Sequence, residues 1–465
     1  MGRRKRIVLL GGGPAAYEAA LVAADLEADV TLVTDEGVGG NCVLWDCVPS
    51  KALIVSAEAM GWMRTASDLG VRVPGADELD RTFVDYEAVA LRVMRLGHNQ
   101  SRDIERRVLG SGACVVRGHG RISGHHRISV EGADGSREEL EADVCLLATG
   151  SRPRVLPFFR PDSERVLTSR DVYSLPEVPE RLIVVGSGAT GAEFAHAFVR
   201  FGSEVVLVSS RELILPTEDP DAAAVIEHVF ERRGMAILRQ ARAVSCERIE
   251  GGVAVGLNDG STVEGTHVLF TVGQVPASDG LGLEIEDVDV SAGGAIPVDA
   301  VSRTNRAWIY AAGDVVGRVM LANVAAMQGR IAMWHALGQA LTPIRWDAIN
   351  MTIFTNPEVA TCGLTEAEIR HQGIPLRTSR LDFSGNSRAK MAERQDGFVK
   401  IHAMPGSGTV LGAVVVSHSA SDLIQPLAVA VQNRLTVTQL VQTLTVYPSM
   451  AGSVTEAARL LMEET

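Results

Sequence analysis

Residues 39–51, GGNCVLWDCVPSK, place two cysteines five positions apart, after a pair of glycines and before a proline. A straight helix would separate such residues by about 7.5 Å along its axis, whereas a disulfide needs its Cα atoms within about 7 Å. Cys42 and Cys47 can therefore be bridged only across a distorted turn, which the flanking glycines and Pro49 allow. The spacing predicts a redox-active pair, and the alternative is two reduced structural thiols.

The residues around the pair bear on its reactivity. The run from Ser50, SKALIVSAEAM, predicts a helix, so Cys47 would lie at a helix N-terminus, where a thiolate is stabilised. Asp46 adds an anion beside Cys47 and is expected to raise its pKa. A zinc site would need a second pair of cysteine or histidine ligands nearby. Because the nearest histidine is His98, we predict no metal site.

Composition limits what the chain can be. Its 465 residues are 46% hydrophobic and 22% charged, enough for about three globular domains. A net charge of −13 argues against nucleic acid and anionic membranes as partners. The apolar run 7–10 is too short for a signal peptide, and no stretch approaches the roughly 18 apolar residues of a spanning helix. The six cysteines are otherwise scattered, which is unlike a secreted disulfide scaffold. We expect a cytoplasmic protein without membrane insertion.

A dinucleotide-binding pattern occupies residues 7–35, which we name the first cradle. An apolar strand meets G-x-G-x-x-A (Gly11, Gly13 and Ala16), and an alanine-rich helix and a second strand follow. The glycines let backbone N–H groups approach a pyrophosphate at the helix N-terminus. An acidic residue should end the second strand and hold a ribose. This position falls at Thr34 or Asp35, of which we predict Asp35.

Residues 182–211 repeat the pattern and form the second cradle. Gly186, Gly188 and Gly191 complete G-x-G-x-x-G after the strand LIVV. The next strand ends in Ser209, Ser210 and Arg211, with no acid. Because serine and arginine can bind a 2′-phosphate that an acid would repel, this cradle favours NADPH, with NADH also possible. Two such cradles predict two bound dinucleotides, and the alternative is a duplicated fold with one cradle lost.

The combination of the cysteine pair and two cradles resembles the pyridine nucleotide–disulfide oxidoreductases, a family of FAD-dependent flavoproteins that includes dihydrolipoyl dehydrogenase and glutathione reductase. The resemblance covers essentially the whole chain. The motifs that carry it are C-x4-C-x-P-S-K at 42–51, A-T-G-S-x-P at 148–153, A-x-G-D at 311–314 and FTNPEVATCGLTE from Phe354.

The resemblance implies an α/β fold with two Rossmann-like domains and a C-terminal α+β dimerisation domain. FAD binding is expected at 1–152 and 275–347, NAD(P) binding at 153–274, and the interface of a homodimer at 348–465. By the same resemblance, Cys47 faces the flavin and Cys42 meets the substrate, while Lys51 pairs with Glu193 beside the flavin. Asp314 suits a ribitol hydroxyl. The remaining implied cofactor contacts are Pro14, Ala15, Gly40, Asn41, Lys51, Thr149, Gly150, Ser151, Gly273, Gly313 and Ala322.

One part of the family pattern is missing. Members that reduce disulfides end in H-x-H-P-T-x-x-E, whose last histidine and glutamate form an acid–base dyad supplied across the dimer. This sequence reads TLTVYPSMAGSVTEA, with Tyr447 and Gly452 at those two positions. A phenol with an ordinary pKa of about 10 is a poor base at pH 7. Tyr447 is either a structural aromatic of the interface or a hydrogen-bond donor to a bound acceptor.

Three functions follow from this pattern. The primary prediction is transfer of electrons from NAD(P)H through FAD to a quinone or similar acceptor, which needs no dyad. The alternative is a disulfide reductase or dithiol oxidase, similar to dihydrolipoyl dehydrogenase, that uses Cys42 and Cys47. The third hypothesis is a catalytically decayed flavin-binding redox sensor. The acceptor itself is a small molecule, either a quinone or a disulfide.

Overall fold

A computed structural model describes residues 3–75 and 79–462 of the chain. The strands along these residues are β1 (Arg6–Leu10), β2 (Asp29–Thr34), β3 (Cys114–Arg117), β4 (His119–Gly124), β5 (Arg127–Glu131), β6 (Arg137–Glu141), β7 (Val144–Leu147), β8 (Ser151–Pro153), β9 (Val166–Leu167), β10 (Arg181–Val185), β11 (Glu204–Val208), β12 (Ala236–Leu238), β13 (Ala243–Ile249), β14 (Gly252–Leu257), β15 (Thr262–Gly265), β16 (His267–Phe270), β17 (Gln274–Pro276), β18 (Ile309–Ala311), β19 (Asn350–Ile353), β20 (Glu358–Gly363), β21 (Arg377–Asp382), β22 (Phe398–Ala403) and β23 (Val410–Ser417).

The α-helices along the same residues are α1 (Pro14–Asp25), α2 (Gly40–Leu44), α3 (Cys47–Thr65), α4 (Tyr86–Gly110), α5 (Ala189–Phe201), α6 (Pro220–Arg232), α7 (Ala322–Ala336), α8 (Glu366–His371), α9 (Ser387–Met391), α10 (Ala420–Asn433), α11 (Val437–Gln442) and α12 (Gly452–Leu460).

The chain divides into two compact units. The first unit comprises Met1–Ala52, Ala90–Arg154 and Gly273–Ile344. The second unit comprises Leu53–Val89, Val155–Val272 and Arg345–Thr465. The finer division into three functional domains stays a prediction.

A parallel sheet forms the centre of the first unit, in the strand order β18-β7-β1-β2-β3. Successive residues of β1 alternate between two apolar clusters: Ile7 and Leu9 belong to one, Val8 and Leu10 to the other. Both faces of the strand are therefore buried, which explains its continuous apolar sequence. Helix α1 packs closely on α7, since a Cβ on Gly329 would lie 2.1 Å from the Ala15 carbonyl oxygen.

The second unit contains another parallel sheet, in the order β12-β11-β10-β16-β9. Strand β10 pairs in register with β11 from Arg181 with Glu204 to Val185 with Val208. Helix α5 follows β10, as α1 follows β1, so both predicted strand-helix-strand cradles are present.

The C-terminal part of the second unit is an antiparallel sheet, in the order β19-β20-β23-β22-β21. Its apolar core includes Ile401 and Val415 from the strands, Leu427 from α10 and Ala457 from α12. The predicted fold class is confirmed: a mixed α/β chain with two parallel sheets and a C-terminal α+β dimerisation domain.

Candidate active site

The first cradle is shaped to admit a ligand at the start of α1. The Gly11 N–H donates to the Val33 carbonyl at 2.8 Å, which ties the loop between β1 and α1 to the end of β2. Gly13 is the N-cap of α1, and a Cβ placed on it would meet no atom within 4 Å. The space beside Gly13 is therefore open, and a helix N-terminus in such a position suits a pyrophosphate. These residues fit the pyrophosphate of FAD.

A second loop clamps this cradle and carries the cysteines. The Gly39 N–H donates to the Gly12 carbonyl oxygen at 2.6 Å. Gly40 follows with φ +56°, and a Cβ there would lie 2.8 Å from the Gly13 Cα. The close approach explains Gly40, because a side chain there would push α2 away from the cradle, whereas a Cβ on Gly39 would lie 2.6 Å from the Val43 Cβ of α2. Cys42 is thus held beside the cradle by backbone contacts.

The end of β2 distinguishes the two candidate ribose ligands. The Thr34 hydroxyl is buried and donates to the Gly37 carbonyl at 3.2 Å, so it serves the turn. The Asp35 side chain is 65% exposed, and its carboxylate lies 3.8 Å from His119 Nδ1. The exposed carboxylate of Asp35 can therefore reach a ligand. Its predicted role as the ribose ligand stays a prediction.

A buried network supports the predicted ribitol ligand. The Ser151 hydroxyl donates to Asp314 Oδ2 at 2.7 Å, and Asn41 Nδ2 donates to the Ser151 carbonyl at 2.5 Å. Burial raises the pKa of Asp314, and the Ser151 hydrogen bond opposes that rise. A hydrogen bond from a hydroxyl of a ligand would stabilise this carboxylate further. The arrangement fits a ribitol chain.

The other predicted cofactor residues of the first unit lie on turns and helix starts. Thr149 donates to the Ala277 carbonyl at 2.6 Å, and Gly150 follows with φ +73°. Gly313 donates its N–H to Gln328 Oε1 at 2.9 Å. Pro14 and Ala15 begin α1 with Ala16, Gly273 precedes β17, and Ala322 begins α7.

The helix breaks between the two cysteines, as a bridgeable pair requires. Helix α2 ends at Leu44, and Trp45 has φ −133° with its indole donating to Glu36 Oε2 at 3.1 Å. Helix α3 then begins at Cys47, three residues before the predicted start at Ser50. The earlier start arises because the Ser50 N–H already donates to the Asp46 carbonyl at 2.8 Å.

The pair differs in acidity from the sequence-based expectation. A hydrogen bond from the Cys47 thiol lowers the pKa of Cys42, and the charge of Lys51 adds to the effect against opposing burial. That same hydrogen bond, burial, the Cys42 charge and the Asp46 charge together raise the pKa of Cys47. Asp46 acts in the expected direction. The hydrogen bond between the thiols therefore favours a thiolate at Cys42, whereas the helix N-terminus favours one at Cys47.

Tyr17 was missed by the sequence analysis. Burial raises the pKa of its phenol to about 12, and a Cys42 thiolate contributes to that rise. The residue therefore shares the electrostatic environment of the pair. A signal was available, since Tyr17 lies on α1 one helical turn after Gly13.

The second cradle repeats the first in its backbone. Gly188 is the N-cap of α5, and a Cβ on it would meet nothing within 4 Å. Gly191 is required for packing, because its Cβ would lie 1.8 Å from the Gly186 carbonyl oxygen. Glu193, further along α5, is buried and accepts the Phe354 N–H at 2.9 Å. The predicted pairing of Lys51 with Glu193 stays a prediction.

Ser209 and Arg211, both predicted to contact the nucleotide, differ in burial in the turn after β11. Ser209 is fully buried, and its hydroxyl accepts from the Ser187 hydroxyl at 2.8 Å and the Arg211 N–H at 3.2 Å. The hydrogen bonds of the Ser209 hydroxyl are therefore made within the turn. Ser210 and Arg211 are exposed residues of this turn, and binding of a 2′-phosphate by Ser209 and Arg211 stays a prediction.

Tyr447 lies on an exposed loop. Its side chain is 85% exposed, with Leu444 and Val446 of the same loop also exposed. Gly452, at the position of the family glutamate, begins α12. The displaced Glu456 accepts from Arg459 Nε at 2.9 Å on the surface of that helix.

Residues 3–75 and 79–462 show neither a cluster of metal ligands nor a membrane-spanning helix. Those residues contain no group of three or more His, Cys, Asp or Glu side chains arranged to hold a metal ion. None of the helices along them combines the length and the hydropathy that a bilayer span requires.

Comparison with known proteins follows the same division of the chain. The model of the pyridine nucleotide-disulphide oxidoreductases matches residues 5–329, and the model of the dimerisation domain of these enzymes matches residues 349–458. A relative named NAD(P)H dehydrogenase (quinone) from Mycobacterium tuberculosis is 48% identical, over 98% of this chain and 94% of its own. Dihydrolipoyl dehydrogenase from Bacillus subtilis is 31% identical over 97% of each chain.

Solved structures agree. The crystal structure of LpdA from Mycobacterium tuberculosis superposes with a TM-score of 0.93 at 48% identity, covering 98% of this chain and 100% of that one. The flavoprotein disulfide reductase RclA from Escherichia coli has a TM-score of 0.86 at 22% identity over 98% and 99% of the two chains, which shows the shared fold. Members of this group use FAD and pyridine nucleotides. The chain belongs to the pyridine nucleotide-disulfide oxidoreductase family.

Proposed function

We propose that this protein is a cytoplasmic, homodimeric, FAD-dependent oxidoreductase that transfers electrons from NAD(P)H to a quinone or a similar acceptor. In each cycle one NAD(P)H and one proton reduce one quinone to a quinol. Homodimer formation is supported by the match of residues 349–458 to the dimerisation domain.

The observation that carries the proposal is the replacement of the acid–base dyad. Tyr447 and Gly452 occupy the two positions where disulfide-reducing members have histidine and glutamate. Thiol–disulfide exchange requires a group that takes up and returns a proton near neutral pH. A tyrosine and a glycine in place of the histidine and the glutamate do not provide one. Reduction of a quinone needs no such dyad. The name of the M. tuberculosis relative, NAD(P)H dehydrogenase (quinone), supports the same activity.

The residues of the first unit would bind and orient the flavin. FAD, when bound, supplies the ring that accepts a hydride from NAD(P)H and passes two electrons to the acceptor. The open turn at Gly13 would hold the pyrophosphate, Asp35 the ribose and Asp314 the ribitol chain. Lys51 and Glu193 remain the proposed pair beside the ring.

NADPH is the proposed electron donor. Arg211 is exposed at the end of β11, and its backbone is fixed by the Ser209 hydroxyl. A guanidinium held there can form a bidentate pair with a 2′-phosphate. With no acid at this position to accept from a free 2′-hydroxyl, NADH would bind more weakly.

The hydrogen-bonded cysteines favour a second candidate function. A Cys42 with a lowered pKa is suited to attack a disulfide, and Cys47 is its hydrogen-bond partner. Disulfide reduction would follow if the substrate, or a side chain acting through a bound water, took over the proton transfer of the missing dyad. A flavin-binding redox sensor is the third candidate, and it requires a flavin that NAD(P)H does not reduce.

An anaerobic experiment tests the proposal. The purified holoprotein is reduced with NADPH under visible spectroscopy and then mixed with menadione or lipoamide. We expect flavin bleaching within seconds and rapid reoxidation by menadione but not by lipoamide. A flavin that stays oxidised for minutes would support the sensor instead.

Two serine variants separate the enzymatic candidates. Cys47→Ser should keep more than half of the menadione rate if electrons leave directly from the flavin. Cys114→Ser is the matched control, since Cys114 is an exposed thiol on β3. If lipoamide is reduced efficiently and Cys47→Ser alone abolishes turnover, the protein is a disulfide reductase.

A further inference from the structure

A cavity of about 310 Å³ in the second unit belongs to neither cradle nor to the cysteine pair. The second half of α3 forms one wall, with Glu58 and Trp62. Arg200 on α5 and Arg233 just after α6 face it, together with Arg394 from the loop that precedes β22. The cavity is of the size that small-molecule sites have.

The inner side of the cavity holds one carboxylate among several bases. Glu58 Oε1 lies 3.0 Å from His196 Nε2 and 3.2 Å from Arg200 Nε, and Asn356 donates to Glu58 Oε2. Burial would raise the pKa of Glu58, but His196 and Arg200 outweigh it and lower the pKa to about 2. Burial and the nearby guanidiniums lower the pKa of His196, and its contact with Glu58 opposes that change. The carboxylate of Glu58 therefore acts as the counter-charge of Arg200.

Two guanidiniums of the cavity lie near carboxylates without pairing with one, since the charge of Glu58 acts to raise the pKa of both Arg233 and Arg394. Among the described residues neither Arg233 nor Arg394 forms an ion pair. Arg233 Nη1 donates to the Asn356 carbonyl at 2.6 Å, and burial with the charge of Arg200 lowers the pKa of Arg233 to about 9. Arg394 Cζ lies 3.8 Å from the centre of the Trp62 ring, and burial lowers the pKa of Arg394. Buried cations without an anion are costly, and an incoming anion would relieve that cost.

An imidazole adds a further unsatisfied group. His418 lines the cavity, and its buried Nδ1 has no hydrogen-bond partner within residues 3–75 and 79–462. Burial and the charge of Arg394 lower the pKa of His418. A protonated ligand oxygen or a bound anion would complete the hydrogen bonding of this ring and lower the positive potential around it.

Three acidic residues also line the cavity and limit the proposal. Asp396 pairs with Arg232, at 3.1 Å between Arg232 Nη1 and Asp396 Oδ1, so these two charges cancel. Asp68 and Glu393 are exposed, where solvent screens their charges. Arg233 and Arg394, which form no ion pair among the described residues, therefore remain available to an anion.

We propose that this cavity binds a phosphate group, either as inorganic phosphate or on a small phosphorylated metabolite, between Arg233, Arg394 and His418. Planar guanidiniums donate in pairs to phosphate oxygens, and two of them line this cavity together with an imidazole. The site is separate from the pyrophosphate positions of the cradles, and it does not depend on which acceptor the flavin reduces.

Calorimetry of the FAD-loaded protein saturated with NADP⁺ tests the proposal, because both cradles are then filled. Inorganic phosphate, pyrophosphate and ribose 5-phosphate are titrated separately at low salt, with citrate as a carboxylate of similar charge. We expect one saturable site per chain for at least one phosphate compound and weaker binding of citrate. Preference for ribose 5-phosphate over inorganic phosphate would indicate a metabolite, and equal or weaker binding would indicate the free ion.

Matched variants locate the site. Arg394→Gln should weaken phosphate binding at least about tenfold, as expected for loss of one charge-assisted contact. Arg394→Lys should give an intermediate loss if the paired donors of arginine matter. Arg370→Gln is the control, because Arg370 is an exposed arginine of α8 paired with Glu366. Melting temperature and flavin absorbance show whether each variant is folded.

Several outcomes would overturn the proposal. Absence of saturable binding at millimolar phosphate, equal binding by Arg394→Gln, or preference for citrate would each do so. Phosphate-independent weakening of the dimer in Arg394→Gln, seen by sedimentation, would assign the arginines to a contact between two copies of the chain.

Discussion

The two cradles share the same backbone arrangement at the start of the helix. They differ in the residues of the loop whose N–H bonds to the cradle, which we call the clamp. Gly13 and Gly188 have nearly the same conformation, with φ −70° and −72°, and both leave open space above a helix N-terminus. In each cradle a later N–H also donates to the middle carbonyl: Gly39 to Gly12 at 2.6 Å, and Leu215 to Ser187 at 2.8 Å. Only the first clamp continues into a cysteine pair. The backbone arrangement is therefore shared by both cradles, and the first clamp adds the two thiols.

The ends of the second strands differ in charge. The first cradle offers the carboxylate of Asp35, and the second offers the guanidinium of Arg211. A ribose hydroxyl donates to a carboxylate, whereas a 2′-phosphate accepts from a guanidinium. We propose that this difference in charge, just after otherwise similar strands, suits the two cradles to different nucleotides.

The largest expected effect comes from filling the first cradle. Gly13→Val places a side chain in open space and leaves the extended backbone unstrained, so the chain should still fold. The valine would occupy the approach to the helix N-terminus, and we expect at least about 100-fold weaker FAD binding, or about 2.7 kcal/mol. The ratio of flavin to protein absorbance after gel filtration measures it. A yellow, stoichiometric variant would contradict the assignment of FAD to this cradle.

The matching change in the second cradle should leave the flavin in place. Gly188→Val fills the equivalent space at the N-terminus of α5. We expect normal FAD content and about 100-fold slower flavin reduction at subsaturating NADPH, because nucleotide binding loses a similar free energy. Stopped-flow absorbance measures the rate. Dithionite reduction is the control, since it needs no nucleotide site and should be unchanged.

A smaller effect is expected at the end of β11. Arg211→Gln removes the proposed partner of the 2′-phosphate, and loss of a charge-assisted hydrogen bond should raise KM for NADPH by about 10- to 100-fold. KM for NADH should change little. Arg248→Gln is the control, since Arg248 is a surface arginine of β13 paired with Asp162. An equal rise for both nucleotides would show that Arg211 supports the turn and does not select the phosphate.

The comparison also shows which features a sequence can predict. Both cradles were predicted because glycine spacing and apolar strands are local signals, and β10 was placed within one residue of its observed start. The buried role of Ser209 was missed because it depends on Ser187, which lies 22 positions earlier. The neighbourhood of Tyr17 and Cys42 was missed for the same reason, since two glycines bring α2 onto the cradle.

The order of acidity within the cysteine pair could not be predicted from spacing. The helix N-terminus favours a thiolate at Cys47, and that local argument is sound by itself. The outcome depends on which thiol donates to the other and on how deeply each is buried. Here Cys47 donates, so the pKa of Cys42 is lowered and that of Cys47 is raised.

The smallest expected effect tests whether the clamp of the first cradle activates its thiol. A lowered pKa means that Cys42 holds thiolate at pH values where an ordinary thiol does not, so alkylation of the reduced protein by iodoacetamide should reach half its maximum below pH 9.0. The charge of Asp46 opposes the thiolate, so Asp46→Asn should move this midpoint lower and raise the rate at pH 7 by a few-fold, or about 1 kcal/mol. Mass spectrometry of the Cys42 peptide gives the rate, and Asp25→Asn is the exposed control on α1. A midpoint at or above that of a free thiol, or no response to Asp46→Asn, would mean that the clamp positions the pair without activating it.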